Sequence, residues 1–236
     1  MKILDLPQDV RERRMFGFFD DFEWFITPHR WTALAADAGT SVAAGSSSTG
    51  GAVVLTTGPT DNNEAAVATT NSPFKMADDK PLYFEARVQY VEGNVNAANV
   101  YTGFAGGLGS ADMLVDNGAG PKTSFAGAGI YKIDGETVWR CVSSKGTAQT
   151  ITPSTRTAGG ASPQTLRVEI QPIDSLNSEA TFYVDDEPLR DAAGNVIKHT
   201  VAFSGAGAMQ SGVYAKAGSA VSEVVTIDYI AAYQLR

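Results

Sequence analysis

The stretch Val221 to Arg236, VSEVVTIDYIAAYQLR, decides the fold class. Val221, Val225, Ile227, Tyr229, Ala231, Tyr233 and Leu235 fall on one side of an extended chain. Ser222, Thr226, Asp228, Gln234 and Arg236 fall mostly on the other. A period of two held over this length predicts a strand with one face in a core. The fold is therefore expected to close on a long C-terminal strand.

Working upstream, the same period recurs in PLYFEARVQYV, residues 81–91. Leu82, Phe84, Ala86, Val88 and Tyr90 point one way, and Tyr83, Glu85, Arg87 and Gln89 the other. Further strand-like runs occupy 52–57, 64–70, 100–108, 125–133, 137–143, 164–171, 179–185 and 212–217. Between them lie DNGAGP, DGE, SSKGTA, SLNSE, DAAGN and AGS, in which Gly supplies positive φ and Asn or Asp local hydrogen bonds. A short helical turn is expected around Ser110–Asp116, and no longer run carries helical periodicity. Short strands with frequent turns and no internal repeat predict an all-β, antiparallel two-sheet sandwich.

Residues 1–15 read as a charged N-terminal arm and residues 16–236 as one domain. The domain opens on seven aromatics within sixteen positions (Phe16, Phe18, Phe19, Phe22, Trp24, Phe25, Trp31) out of 22 in the chain, so this segment is expected to build core strands. Residues 37–51 are small and predict a loop or a flexible strand connection. The net charge of −8 disfavours nucleic acid, whose binding needs a positive surface. The cluster Arg11, Glu12, Arg13, Arg14 is the one local exception and reads as a solvated or partner-contacting arm. The single cysteine, Cys141, has no partner for a disulfide and reads as a packed strand thiol. No apolar leader and no run of about 18 apolar residues appear, so the expectation is a protein made in the cytoplasm, without a secretion signal or membrane span.

Four motifs occur in an order that resembles one superfamily. Phe19-Asp20-Asp21-Phe22 resembles the opening strand of concanavalin A-like lectin/glucanase jelly rolls, a group that includes laminarinase- and laminin-G-like domains. Pro81 to Val88 is similar to their long central strand. Ala180 to Leu189 (ATFYVDDEPL) is similar to their late hairpin, and Thr226-Ile227-Asp228-Tyr229-Ile230 with Tyr233-Gln234 to their closing strand. The resemblance spans residues 16 to 236 and implies a jelly-roll β-sandwich of two stacked sheets, one usually concave. It also implies where a glycosidase would carry its carboxylates: a strand of the form Glu-x-Asp-x-(x)-Glu, with acid and nucleophile on one face. This sequence has no such strand. Asp134-Gly135-Glu136 reads as a hairpin turn, and Glu169 to Asp174 is interrupted by Pro172, which ends a ladder. Glu85 and Arg87 share a face and are expected to form a cross-strand ion pair.

Other chemistry is sparse. His29 sits in a turn and His199 in a possible strand, far apart and without a second zinc ligand nearby. No Gly-x-Ser-x-Gly elbow occurs, and Gly103 to Gly109 reads as a strand in close sheet contact rather than a phosphate loop. Asp20, Asp21 and Asp228 are oxygen donors on the opening and closing strands, where the resemblance allows a calcium ion. No catalytic, cofactor-binding or metal site is assigned, and no cofactor is expected.

Three functions follow. The first is a non-catalytic structural protein, a bacteriophage capsid-decoration or cement protein in the virion. It would assemble through residues 1–15 as a homo-oligomer, with a trimer expected, on the major capsid protein or another virion protein. The second is a carbohydrate-binding module that stacks host or environmental glycans on Trp24, Trp31, Trp139, Tyr83 or Tyr101. The third is a polysaccharide lyase using Tyr83, Arg87 and Arg167.

Overall fold

The computed structural model describes residues 14–45 and 50–236. Among these residues there are eighteen strands. In chain order they are β1 (Met15–Asp20), β2 (Trp31–Leu34), β3 (Ser41–Ala44), β4 (Val53–Thr56), β5 (Glu64–Thr69), β6 (Leu82–Val91), β7 (Ala98–Ala105), β8 (Leu114–Val115) and β9 (Gly120–Pro121). The second half gives β10 (Phe125–Lys132), β11 (Val138–Gly146), β12 (Ala148–Thr157), β13 (Gln164–Pro172), β14 (Asn177–Val184), β15 (Glu187–Pro188), β16 (Lys198–Ala202), β17 (Gln210–Ala217) and β18 (Val224–Leu235). Two antiparallel sheets form the sandwich. A nine-stranded sheet runs β15-β14-β13-β6-β18-β4-β3, with β1 also on β18 and β16 also on β14. A seven-stranded sheet runs β12-β11-β10-β7-β17-β5-β2, and β8 and β9 form a small separate ladder. The expected jelly-roll β-sandwich is what the chain adopts.

The alternation read in the sequence explains the inner faces. Leu82, Phe84, Ala86, Val88 and Tyr90 of β6 meet Val168 and Ile170 of β13, and, across the sandwich, Val100 and Phe104 of β7 and Ile130 of β10 in one buried cluster. Each buried side chain of this size contributes on the order of 1.5–3 kcal/mol relative to exposure, so this layer holds the sheets together. At its centre Gly103 (φ +142) lies between Gly212 of β17 and Gly129 of β10, and a Cβ on Gly103 would come within 2.5 Å of the Ala128 carbonyl. The close sheet contact expected of this glycine run is therefore present.

The closing strand departs from its sequence reading. The register of β18 against β6 shifts between Ile227 and Tyr229, a bulge at Asp228. An extra residue reverses which side chains face the core. Val225 and Ile227 point inward, but beyond the bulge Ile230 and Ala232 do, leaving Tyr229, Ala231, Tyr233 and Leu235 on the outer face. Val221 lies before the strand and is 38% exposed.

Other boundaries also differ. β3 lies inside the segment read as a loop or flexible strand connection, while the turn expected in SSKGTA is the tight hairpin through Gly146 and Thr147 that joins β11 to β12. Ser110–Asp116 forms turns and the short strand β8 rather than a helical turn, because the Asp112 N–H goes to the Glu64 carboxylate of β5 and the Met113 carbonyl accepts from the Lys122 N–H. Residues 1–13, most of the expected arm, lie outside the described residues. Met15 already belongs to β1 and pairs with Leu235.

Candidate functional site

Alternation on β6, β13, β14 and the outer half of β18 brings a polar and aromatic cluster to the outer face of the nine-stranded sheet. Register places Glu85 beside Arg167 and Ala231, and Arg167 beside Tyr183. The Tyr83 hydroxyl donates to Glu85 Oε2 at 2.5 Å and the Tyr229 hydroxyl to Glu85 Oε1 at 2.8 Å. Arg167 lies 3.7 Å from Glu85, 3.3 Å from Glu169 and 2.5 Å from Asp186, with its guanidinium 4.3 Å from the centre of the Tyr183 ring. Arg87 pairs instead with Asp228 at 3.5 Å, so the bulge, not strand β6 itself, supplies its partner. The expected Glu85–Arg87 pair is replaced by Glu85–Arg167 and Arg87–Asp228. Phe19 of β1 lies against Tyr229, ring centres 5.3 Å apart, and is 56% exposed.

The Tyr83 and Tyr229 phenols of this face are held protonated. Burial, reinforced by the hydrogen bond to Glu85, pushes the Tyr83 phenol far above its ordinary range, and the same two causes push Tyr229 up to about 12. A phenol held that strongly protonated makes a poor general base at neutral pH. Four carboxylates (Glu85, Glu169, Asp186, Asp228) stand against two guanidiniums (Arg87, Arg167), which disfavours an anionic ligand.

The outer face of the seven-stranded sheet is occupied by the protein itself. The segment 106–121, between β7 and β10, folds across it and buries Leu108, Met113 and Leu114 against Tyr101, Tyr131, Phe125 and Tyr214. Lys216 of β17, 1% exposed at its side chain, donates to the Leu114 carbonyl at 2.9 Å, Asp112 at 3.0 Å and Asp116 at 2.6 Å. Glu64 of β5 accepts from the Tyr214 hydroxyl and from the Asp112 N–H at 3.0 Å, with Lys216 3.8 Å away. Burial pushes the Glu64 carboxyl up, and the Asp112 N–H and Lys216 only partly offset it. Burial works against the Lys216 charge, but Asp116, Asp112 and Glu64 outweigh it and hold the ammonium above its usual range.

The sequence-derived candidates are scattered. Of the five aromatics proposed for stacking, Trp31, Trp139, Tyr83 and Tyr101 are 0–7% exposed and only Trp24 faces solvent, at 77%. Phe19, Tyr229, Tyr183 and Tyr233 were missed. Phe19 sat in a segment assigned to the core, and the bulge disguised the tyrosines of β18. Tyr83 and Arg167 meet through Glu85, whereas Arg87 stands apart with Asp228.

The three aspartates have separate partners. Asp20 accepts from Arg30 and from Trp31 Nε1, each at 2.9 Å, and Asp21 from the Glu23 N–H at 3.5 Å, while Asp228 meets Arg87. Among the described residues no group of three or more His, Cys, Asp or Glu side chains is placed to hold a metal ion. His29 lies in an exposed turn. His199 is buried on β16 between Thr152 Oγ1 at 3.0 Å and Ser143 Oγ at 3.1 Å, and burial pushes its pKa down to about 4. Cys141 is fully buried on β11, and burial raises its thiol well above the ordinary range. Asp134-Gly135-Glu136 forms the β10–β11 turn, with Glu136 on Arg140 at 2.6 Å.

No protein-family model and no curated protein sequence matches the chain. Solved structures do. An endo-1,3-β-glucanase from Streptomyces sioyaensis aligns over 98% of both chains with a TM-score of 0.60 at 14% identity. An endo-β-1,4-glucuronan lyase from the fungus Trichoderma reesei aligns over 91% of this chain and 94% of its own, with a TM-score of 0.59 at 10% identity. Peanut lectin aligns over 94% of this chain and 98% of its own, with a TM-score of 0.55 at 8% identity. The fold is that of the concanavalin A-like lectins and glucanases. At these identities the likeness concerns the fold, and this concanavalin A-like sandwich carries its own side chains on both outer faces.

Proposed function

We propose that this protein is a non-catalytic structural protein of an assembled particle, a bacteriophage capsid-decoration or cement protein that attaches through its N-terminal side. One observation carries the reading. Trp24, Phe19 and Ile26, exposed by 77%, 56% and 54%, stand on β1 and the loop that follows it, directly after the N-terminal residues. Several large apolar side chains exposed within one short segment mark an interaction surface. Aromatic anchors of this kind carry much of the binding energy in protein interfaces. The absence of catalysis is part of the proposal, and the filled face of the seven-stranded sheet and the strongly protonated phenols of the other face support it. In the particle, the partners are further copies of the chain, as a trimer, and the major capsid protein or another virion protein.

The test is light scattering on size-exclusion fractions of the full chain and of Trp24→Ser, followed by rebinding to capsids lacking the protein. A defined oligomer or capsid binding that Trp24→Ser weakens at least tenfold is expected. A monomer that binds no capsid sinks the reading.

A second reading, glycan recognition, is favoured by the Phe19–Tyr229 pair and the tyrosines around it on the outer face of the nine-stranded sheet. Lectins and glycan-active enzymes among the structures of similar fold support it. The charge of that face points to neutral rather than uronic-acid polymers. The two readings share Phe19, so they compete for that side chain, and Trp24 belongs to the first reading alone.

A further inference from the structure

At one rim of the sandwich two loops interlock around buried charge. Residues 92–97 connect β6 to β7, and residues 218–223 connect β17 to β18. Glu92 folds its own loop by accepting from the Asn96 N–H and the Ala98 N–H, both at 3.1 Å. Lys132, 1% exposed at its side chain, reaches Glu92 at 2.8 Å and the carbonyls of Asn96 and Ala98 at 3.0 Å. The second loop contributes Glu223, which is 0% exposed. Its Oε2 accepts from the Gly93 N–H at 3.0 Å, and its backbone exchanges two hydrogen bonds with Thr57 at the end of β4. Its other oxygen, Oε1, is buried with no hydrogen-bond partner. The loops fit closely elsewhere too: a Cβ on Gly93 would come within 2.2 Å of Val221, and Asn94 donates to Ser219 at 3.1 Å.

We propose that Glu223 is a proton-operated latch: neutral, it closes the 92–97 loop onto the 218–223 loop, and ionised, it loosens the pair. The charged groups around it are Glu92 just after β6, Lys132 on β10 and Asp134 just after it, and Tyr90 of β6 faces Glu92. The single cation, Lys132, is already bound to Glu92 and two carbonyls. A second carboxylate placed beside it, with one oxygen unbonded, meets an environment that favours the neutral acid. Burial raises the Glu223 pKa to about 7, with Glu92 and Asp134 adding to the rise and the Gly93 N–H and Lys132 opposing it.

The sign follows from linkage. The closed form binds the proton more tightly than an opened form with the ordinary value of 4.5. Closure is therefore complete at acid pH and weakens as pH rises from about 4.5 to about 7, then levels. Val91, Val95 and Val221, exposed by 50%, 90% and 38%, surround the latch, so loosening changes an apolar rim.

Amide hydrogen exchange at Gly93, corrected for the intrinsic rate, reads the latch directly on the full chain. In the wild type its protection is expected to fall by up to about tenfold per pH unit between 4.5 and 7 and then level. In Glu223→Gln, which keeps the acceptor and cannot ionise, protection is expected to stay constant with pH. A pH-independent wild type, or a variant that keeps the wild-type slope, overturns the proposal. Carboxyl titration by NMR gives a second readout that needs no variant: a Glu223 midpoint near 7 supports the latch, and one below about 5.5 removes it.

Discussion

Replacing Lys216 with Met tests how the face of the seven-stranded sheet is kept closed. Methionine fills a similar volume but leaves the Leu114 carbonyl without its donor and Glu64 without its cation. The bonds to Asp112 and Asp116 count for little, because those carboxylates are 72% and 53% exposed and water screens them. What remains is a charge-assisted bond to a buried carbonyl and a nearly buried ion partner, Glu64, which is 9% exposed at its side chain. Breaking such an arrangement by removing one partner is expected to cost about 3 kcal/mol, at the low end for buried pairs because Glu64 keeps its bonds from Tyr214 and the Asp112 N–H. For a chain of this length that lowers Tm by about 6–12 °C.

The assay is urea unfolding followed by fluorescence of the buried Trp31 and Trp139, with limited proteolysis of segment 106–121 alongside. Adding Glu64→Gln to Lys216→Met should restore roughly 1–2 kcal/mol, since the uncompensated buried charge disappears. A loss below about 1 kcal/mol, with the segment as protease-resistant as before, would refute the view that Lys216 fastens it.

Two further outcomes are expected. The His199 pKa of about 4 lies below its ordinary 6.5, so the unfolded chain takes the proton first and stability falls as pH drops from 6.5 to 4. Compared with His199→Gln, the wild type should lose roughly 3 kcal/mol more across that window in urea unfolding, and equal losses would show that His199 is not held neutral. If glycans bind the nine-stranded sheet, Tyr229→Ala with Phe19→Ala should weaken affinity-gel retardation by a neutral β-glucan by at least about tenfold. Retardation by a polyuronate alone, or by the neutral polymer unchanged in the double variant, would count against that face.

The sandwich was legible because its inner faces obey simple alternation over long runs, as β6 does from Leu82 to Tyr90. The outer faces were less so. One bulge at Asp228 moved Tyr229 and Tyr233 from the predicted core to the surface, and no local propensity announces a bulge between Ile227 and Tyr229. Glu85, Tyr83 and Arg167 were readable as outward-facing, but which of them meet depends on β6–β13 register, which links residues about eighty apart. Lys132 and Lys216 went unremarked, although each carried a signal. Both are lone lysines at the end of an apolar strand run, GIYK and VYAK, just before a loop. Trp24 was one of seven aromatics in a segment assigned to the core, and only the loop conformation separates it from buried Phe22 and Trp31.

Those two lysines bear on whether this fold, here, is catalytic. An ammonium has three N–H donors. Lys216 places them on the Leu114 carbonyl, Asp112 and Asp116, and Lys132 on Glu92 and the carbonyls of Asn96 and Ala98. Neither keeps a donor for a substrate, and each ties a loop to the end of a sheet strand. A chain with one buried cysteine cannot fasten such loops by a disulfide of its own. Buried lysines take that role, with three carbonyls and three carboxylates supplying the six acceptors that the two dry ammoniums require. The perturbed protonation equilibria at Glu64 and Glu223 follow from loop closure: Glu64 sits beneath the loop that Lys216 ties, Glu223 between two loops at the rim, and burial raises both. In an enzyme such groups converge on one cleft. Glu64 and Glu223 lie under two different loops, whereas the perturbed phenols Tyr83 and Tyr229 meet at Glu85 on the outer face of the nine-stranded sheet, so the two carboxyls report loop closure and not that face.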